Sequence, residues 1–78
     1  MIKLAFGQSL RHRRTRKRLT QEEVALESGV SLRYLQDLEA GNKMASINTV
    51  FRLARALDTT PATLLNPAWK TWSAKDEC

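Results

Sequence analysis

The stretch of residues 20–41, TQEEVALESGVSLRYLQDLEAG, decides the fold of this chain. Thr20 is a typical helix N-cap, and Glu23 completes a capping box in which each side chain accepts a hydrogen bond from the other's backbone N–H group. Gly29 can end this first helix in the left-handed conformation, and Ser31 caps the next one. The stretch therefore predicts two short helices, residues 21–28 and 32–40, that meet at a tight turn.

Two short helices joined in this way form a helix-turn-helix, in which the second helix enters the major groove of DNA while the first crosses the backbone. Ala25 adds a small residue four positions before the turn glycine, and Gly41 ends the second helix. These constraints are independent of one another and fall in one window. Together they predict a DNA-binding surface centred on residues 32–40.

Two longer helices are expected on either side of this pair. An apolar stripe near the N-terminus predicts a helix over residues 2–17. Ser46 is the expected N-cap of a helix over residues 47–57, whose apolar side chains lie at positions 47, 50, 51, 54 and 57.

The last expected helix is short. Thr60 and Pro61 open it, and Pro67 terminates it after Leu65. The predicted fold class is all-α with five helices. Residues 1–66 form the single domain of this prediction, followed by a C-terminal tail.

Composition excludes several classes of protein. The chain has 78 residues, 42% of them hydrophobic but only 6% aromatic, which allows one small domain with a modest aliphatic core. With one histidine, His12, and one cysteine, Cys78, neither an intramolecular disulfide nor a catalytic triad can be assembled, so no enzyme activity, metal or cofactor is expected. Cys78 could cross-link two chains on oxidation, although a free thiol at this position is more often incidental. No apolar run approaches the ~20 residues of a membrane span, and no signal-peptide core is visible, so we expect a cytoplasmic protein.

The charge is unevenly distributed. Residues 1–18 contain seven Lys or Arg and no acidic residue, whereas the rest of the chain has six Lys or Arg against eight Asp or Glu, a sum of −2. A basic segment of this kind favours polyanions, because neutralising phosphates releases counterions. An isolated basic run is as often only a solvated face, but its position next to a helix-turn-helix favours a nucleic acid.

The exposed face of helix 32–40 supplies the candidates for base contacts. Arg33 can bind guanine N7 and O6 with two hydrogen bonds, and Gln36 can pair with adenine. Leu32 either touches a thymine methyl group or packs inward, and Asp37 completes the face.

Phosphate contacts are expected from helix starts and from neighbouring loops. Gln21 lies at the first turn of its helix, where free backbone N–H groups attract anions. Arg14, Asn42 and Lys43 are the other expected clamps on the DNA backbone. Tyr34 either donates its hydroxyl to a phosphate or is a half-buried aromatic.

The pattern resembles the Cro/C1 type of helix-turn-helix regulators, also called the XRE family. The resemblance covers residues 6–65 and is carried by LTQEEVA at 19–25, GVS at 29–31, YLQDLEAG at 34–41 and LARAL at 53–57. It implies a compact five-helix, lambda-repressor-like domain that regulates transcription.

The same resemblance implies roles for particular residues. The glutamine matching Gln21 binds phosphate, and Arg14 is expected to form an ion pair with Glu39 that positions the recognition helix. Arg18 stands where the family commonly has glycine, so the end of the first helix is either strained or differently shaped. Ser28 occupies a position that is usually apolar.

Small members of this family usually act as homodimers on inverted repeats, through surfaces near the fifth helix. The corresponding interface candidates here are Leu64, Leu65, Trp69 and Trp72, although the two tryptophans could instead cover the domain's own core. Double-stranded DNA and a second copy of the chain are thus the expected partners. The alternative is an antitoxin-like protein-interaction module with secondary DNA binding, which the tryptophans and the acidic residues 76–77 could serve.

Overall fold

Five helices make up the computed structural model, which describes residues 1–76. They are α1 (Ile2–Arg16), α2 (Gln21–Ser28), α3 (Leu32–Ala40), α4 (Ile47–Ala56) and α5 (Pro61–Asp76). No strand occurs among these residues. The predicted all-α, five-helix fold is confirmed, and the bounds of the first four helices agree with the prediction to within one residue. None of the five helices is long and apolar enough to cross a membrane.

The boundaries of α2 and α3 are set by the capping residues that the sequence indicated. The Thr20 hydroxyl accepts from the Glu23 backbone N–H at 3.0 Å, and the Glu23 carboxylate accepts from the Thr20 N–H at 2.7 Å. Gly29 and Gly41 are left-handed, with φ of 78° and 79°. Ser31 caps α3 by accepting a hydrogen bond from the N–H of Tyr34. The turn between α2 and α3 is therefore determined by local chemistry.

The core lies between the five helices, with α1 packed on α5 and α3, α2 packed on α3 and α4, and α4 packed on α5. Its largest fully buried side chains are Leu10, Leu35, Leu38, Leu53, Leu57, Leu64 and Val24. Gly7 lets α1 approach α3 closely, because a Cβ atom at this position would collide with the backbone carbonyl of Leu38. Leu35 and Leu38 face inward, so the opposite side of α3 is left for a ligand.

Two residues of the expected apolar stripe of α4 are not buried. Ile47 is 78% exposed and Phe51 is 59% exposed, whereas Leu53 is completely buried. The periodic pattern located the helix correctly but not its inward face. The buried residues are 50, 53, 54 and 57, which lie on one helix face just as the predicted set does, so the spacing alone could not distinguish the two faces.

The expected end of α5 at Pro67 is wrong, since the helix continues to Asp76. A proline within a helix removes one backbone hydrogen bond and crowds the preceding turn. Ser9 of α1 donates its hydroxyl to the carbonyl of Leu64, at 2.8 Å, within that turn, and Ala68 packs against the core. Packing along α1 thus stabilises α5 on both sides of the proline.

Arg18 adopts the strained alternative predicted for the end of α1. Its φ is 59°, and it takes the place that glycine usually has in a Schellman motif. The N–H of Arg18 donates to Thr15 at 3.0 Å and that of Leu19 to Arg14 at 3.1 Å. Asp58 repeats this arrangement after α4, with a φ of 56°.

We expect Arg18→Gly to stabilise the protein by about 1 kcal/mol, because glycine adopts the left-handed conformation without steric cost. Denaturant unfolding followed by circular dichroism measures the change. Arg11→Gly is the matched control, since it removes the same side chain from an exposed helical position and should destabilise by about 1 kcal/mol. Equal effects of the two substitutions would contradict the strain at Arg18.

Candidate nucleic-acid interface

An ion pair between Arg14 and Glu39 joins the helices around the candidate interface. Arg14 Nε lies 2.7 Å from Glu39 Oε2, and Arg14 Nη2 lies 2.9 Å from Oε1. The two side chains are 13% and 4% exposed. The ion pair implied by the family resemblance is therefore present, with two parallel hydrogen bonds and little access for water.

Further hydrogen bonds extend this pair. Arg14 Nη1 donates to the carbonyl of Leu19 at 3.0 Å, and the side-chain amide of Gln21 donates to Glu39 at 3.0 Å. The hydrogen bond to Glu39 raises the pKa of Arg14, while burial acts in the opposite direction. α1, the start of α2 and α3 are thus connected through one carboxylate.

An open hollow lies between α1, the start of α2 and α3. Its lining includes Arg11, Arg14, Gln21, Gln36 and Glu39. Arg11 was not among the predicted phosphate contacts. Its position three residues before Arg14, on the same face of α1, was the sequence signal that could have identified it.

Two of the four predicted base-contact residues are exposed, and the other two are partly or mostly buried. Arg33 and Gln36 are exposed on α3, with the Arg33 side chain 84% exposed. Leu32 is partly buried and packs against the core, so its inward alternative describes the free protein. Asp37 is mostly buried and lies between two cations, Arg33 and Lys43.

The predicted phosphate contacts from the α3–α4 side differ in availability. Lys43 and Asn42 are exposed in the loop after α3. Tyr34 is partly buried against the core, and its hydroxyl donates to the carbonyl of Met44 at 3.2 Å. The half-buried alternative for Tyr34 therefore describes this structure.

Leu64 was wrong as an interface candidate, because it is 1% exposed and belongs to the core. Leu65, Trp69 and Trp72 are 41%, 62% and 52% exposed. Their spacing of four and three residues places them on one face of α5, which we call the α5 apolar stripe. Leu65 also lines an apolar hollow with Met44.

The remaining expectations concern His12, metal binding and the C-terminal end of the chain. His12 is exposed, and no cluster of acidic, histidine or cysteine side chains suited to a metal ion occurs among the residues that the structure describes. Cys78 and Glu77, considered for cross-linking and for a partner-binding tail, lie outside the described residues.

Comparisons with known proteins agree with this architecture. A family model described as "Helix-turn-helix" matches residues 10–64. An HTH-type transcriptional regulator, y4dJ of Sinorhizobium fredii (strain NBRC 101917 / NGR234), is 38% identical over 65 residues, which are 83% of this chain and 84% of that protein. Control protein C.BamHI of Bacillus amyloliquefaciens is 32% identical over 66 residues, 83% of this chain and 82% of that one.

Solved structures show the same likeness. The restriction-modification controller protein C.AhdI of Aeromonas hydrophila superposes with a TM-score of 0.78 at 40% identity, covering 80% of this chain and 94% of that chain. The clp gene regulator ClgR of Corynebacterium glutamicum gives a TM-score of 0.85 at 31% identity, covering 99% of this chain and 82% of the other.

We expect Arg14→Met to destabilise the protein by about 3 kcal/mol, because Glu39 is then left as a nearly buried charge without its cation. In the double variant Arg14→Met/Glu39→Met no charge is left unpaired, and a large part of that loss should be recovered. A double-mutant cycle of urea unfolding measures both effects. A loss of stability in the double variant equal to the sum of the losses in Arg14→Met and Glu39→Met would show that the two side chains are not coupled.

Proposed function

Because the chain belongs to the helix-turn-helix family of DNA-binding transcription regulators, which are not enzymes, we propose that it reads a specific sequence of double-stranded DNA. In this proposal it acts in the cytoplasm as a homodimer on an inverted-repeat operator. The observation that carries the proposal is the outward face of α3, which presents Arg33 and Gln36 beside a hollow lined by arginines.

The side chains of α3 are suited to reading bases. Arg33 and Gln36 lie on the exposed side of the helix, and their planar groups can each make two hydrogen bonds to a purine edge in the major groove. Neither side chain supports the core. We assign them the recognition of sequence.

Groups on both sides of α3 are suited to holding the phosphates. Arg11 and Gln21 lie on one side of the helix, in the hollow with Arg14. Asn42 and Lys43 lie beyond its C-terminal end. Contacts of this type fix the position of a protein on the duplex without reading its sequence.

The α5 apolar stripe supports self-association. A small domain without disulfides gains stability when such side chains are covered by a second subunit. A two-fold dimer would place two copies of α3 in successive major grooves, about 34 Å apart. The likeness to proteins named as controllers and gene regulators supports a regulatory role for this binding.

Selection of duplexes from a random pool at about 150 mM salt tests sequence reading, because non-specific electrostatic binding is weak there. We expect an inverted repeat. Recovery of no shared sequence would contradict the proposal and favour the alternative, a module that binds another protein.

On the selected duplex, Arg33→Ala should cost about 1–3 kcal/mol and remove the preference for one base. Lys43→Ala should weaken the binding of all sequences about equally. Arg52→Ala is the matched control, because this exposed arginine of α4 lines a different hollow with Glu27. Equal losses on selected and random DNA for Arg33→Ala would overturn its assignment to a base.

We expect Trp69→Ser to weaken the dimer at least tenfold, which corresponds to about 1.4 kcal/mol, because it removes a large apolar side chain from the α5 apolar stripe. Sedimentation equilibrium measures the association constant. Leu26→Ser is the control, since Leu26 is 86% exposed on α2. A chain that remains monomeric, or a loss equal to that of Leu26→Ser, would contradict this interface.

A further inference from the structure

Asp37 places a negative charge inside a surface that otherwise presents cations and amides. Its carboxylate Oδ2 lies 3.5 Å from Arg33 Nε and 3.5 Å from Lys43 Nζ. The side chain of Asp37 is 15% exposed, whereas those of Arg33 and Lys43 are 84% and 58% exposed. One nearly buried acid is therefore paired with two exposed cations.

Both of these cations have a role in the proposed function. Arg33 is assigned to a base edge and Lys43 to a phosphate, yet in the free protein each is paired with the same carboxylate. The cation of each pair is exposed and each N–O distance is 3.5 Å, so both pairs are weak and either cation can leave Asp37 readily. The pairing does not block binding, but binding changes the surroundings of Asp37.

In the proposed complex Arg33 and Lys43 turn to the DNA, so the carboxylate loses both partners beside the phosphate that Lys43 binds. A carboxylate is only an acceptor of hydrogen bonds, and phosphate oxygens are acceptors too. An acid left without a donor at a desolvated interface is unfavourable. Among the groups of the major groove, the amino group of cytosine is a donor that a carboxylate accepts well.

We propose that Asp37 is a specificity-determining residue that disfavours non-specific DNA. A site with a cytosine amino group beside the guanine read by Arg33 satisfies the released carboxylate, whereas a site with no amino group at that position leaves it without a donor. This inference rests on the proposed function and goes beyond it, because it assigns selectivity to repulsion as well as to attraction.

Fluorescence anisotropy on a random-sequence duplex and on the selected duplex tests the proposal with the full chain. Asp37→Asn should tighten binding to the random duplex about fivefold or more, the size of one unmatched contact, and lower the ratio of selected to random affinity by a similar factor. A selection repeated with the variant should lose its preference for cytosine at one position.

Asp58→Asn is the matched control. Asp58 pairs with Lys17 at 3.6 Å and is 89% exposed, so its substitution makes the same change in net charge outside α3. Equal tightening by the two variants, with an unchanged affinity ratio, would overturn the role of Asp37 and leave only a general charge effect. Asp37→Ala serves as the second variant if circular dichroism shows that Asp37→Asn has not folded.

Failure of this inference is distinguishable from failure of the proposed function. If the wild-type chain selects a sequence but both aspartate variants behave alike, the role of Asp37 is wrong and the DNA reader stands. If the wild-type chain binds no duplex above the level of an unrelated protein, the proposed function is wrong and the role of Asp37 is overturned with it.

Discussion

The charged contact between Arg14 and Glu39 is the interaction on which the candidate interface depends. Glu39 lies near the end of α3 and is almost inaccessible to water, so its charge is tolerated only because Arg14 and Gln21 donate three hydrogen bonds to it. Those donors come from α1 and from the start of α2. The angle of α3 relative to both helices is thereby fixed by geometry that a less directional, apolar contact would not impose.

This arrangement also constrains Arg14. Three of its five N–H groups are engaged within the protein, by Glu39 and by the carbonyl of Leu19. Two remain for a phosphate. Arg14 can therefore position α3 and still contact DNA, whereas Arg11 in the same hollow is the less restricted cation.

Much of the fold could be predicted from the sequence because helix ends are determined locally. Thr20, Glu23, Gly29 and Ser31 act on their own backbone neighbours, and the structure places each as the sequence indicated. The end of α5 could not be predicted in this way. Pro67 favours a helix end, but the hydrogen bond from Ser9 and the packing on α1 outweigh this local preference. Interactions between residues distant in sequence are not visible in a local pattern.

The candidate interface also combines features that the sequence indicated with features that depend on contacts between distant residues. The pairing of Arg14 with Glu39 was implied by family resemblance, but the double pairing of Asp37 depends on where the α3–α4 loop carries Lys43. Leu64 and Leu65 are adjacent in sequence, yet one is buried and the other exposed. That distinction follows from the rotation of α5 about its axis, which the apolar composition of this segment leaves undetermined.

The left-handed backbone at Arg18 and Asp58 has a consequence for the lifetime of the protein in a cell. This conformation costs about 1 kcal/mol at Arg18 relative to glycine and less at Asp58, because a short polar side chain tolerates it. A total between about 1 and 2 kcal/mol raises the unfolded population roughly five- to thirtyfold. Proteases act mainly on that population. A domain of this size has little stability in reserve, so these two turns raise the fraction of the protein that is open to proteolysis.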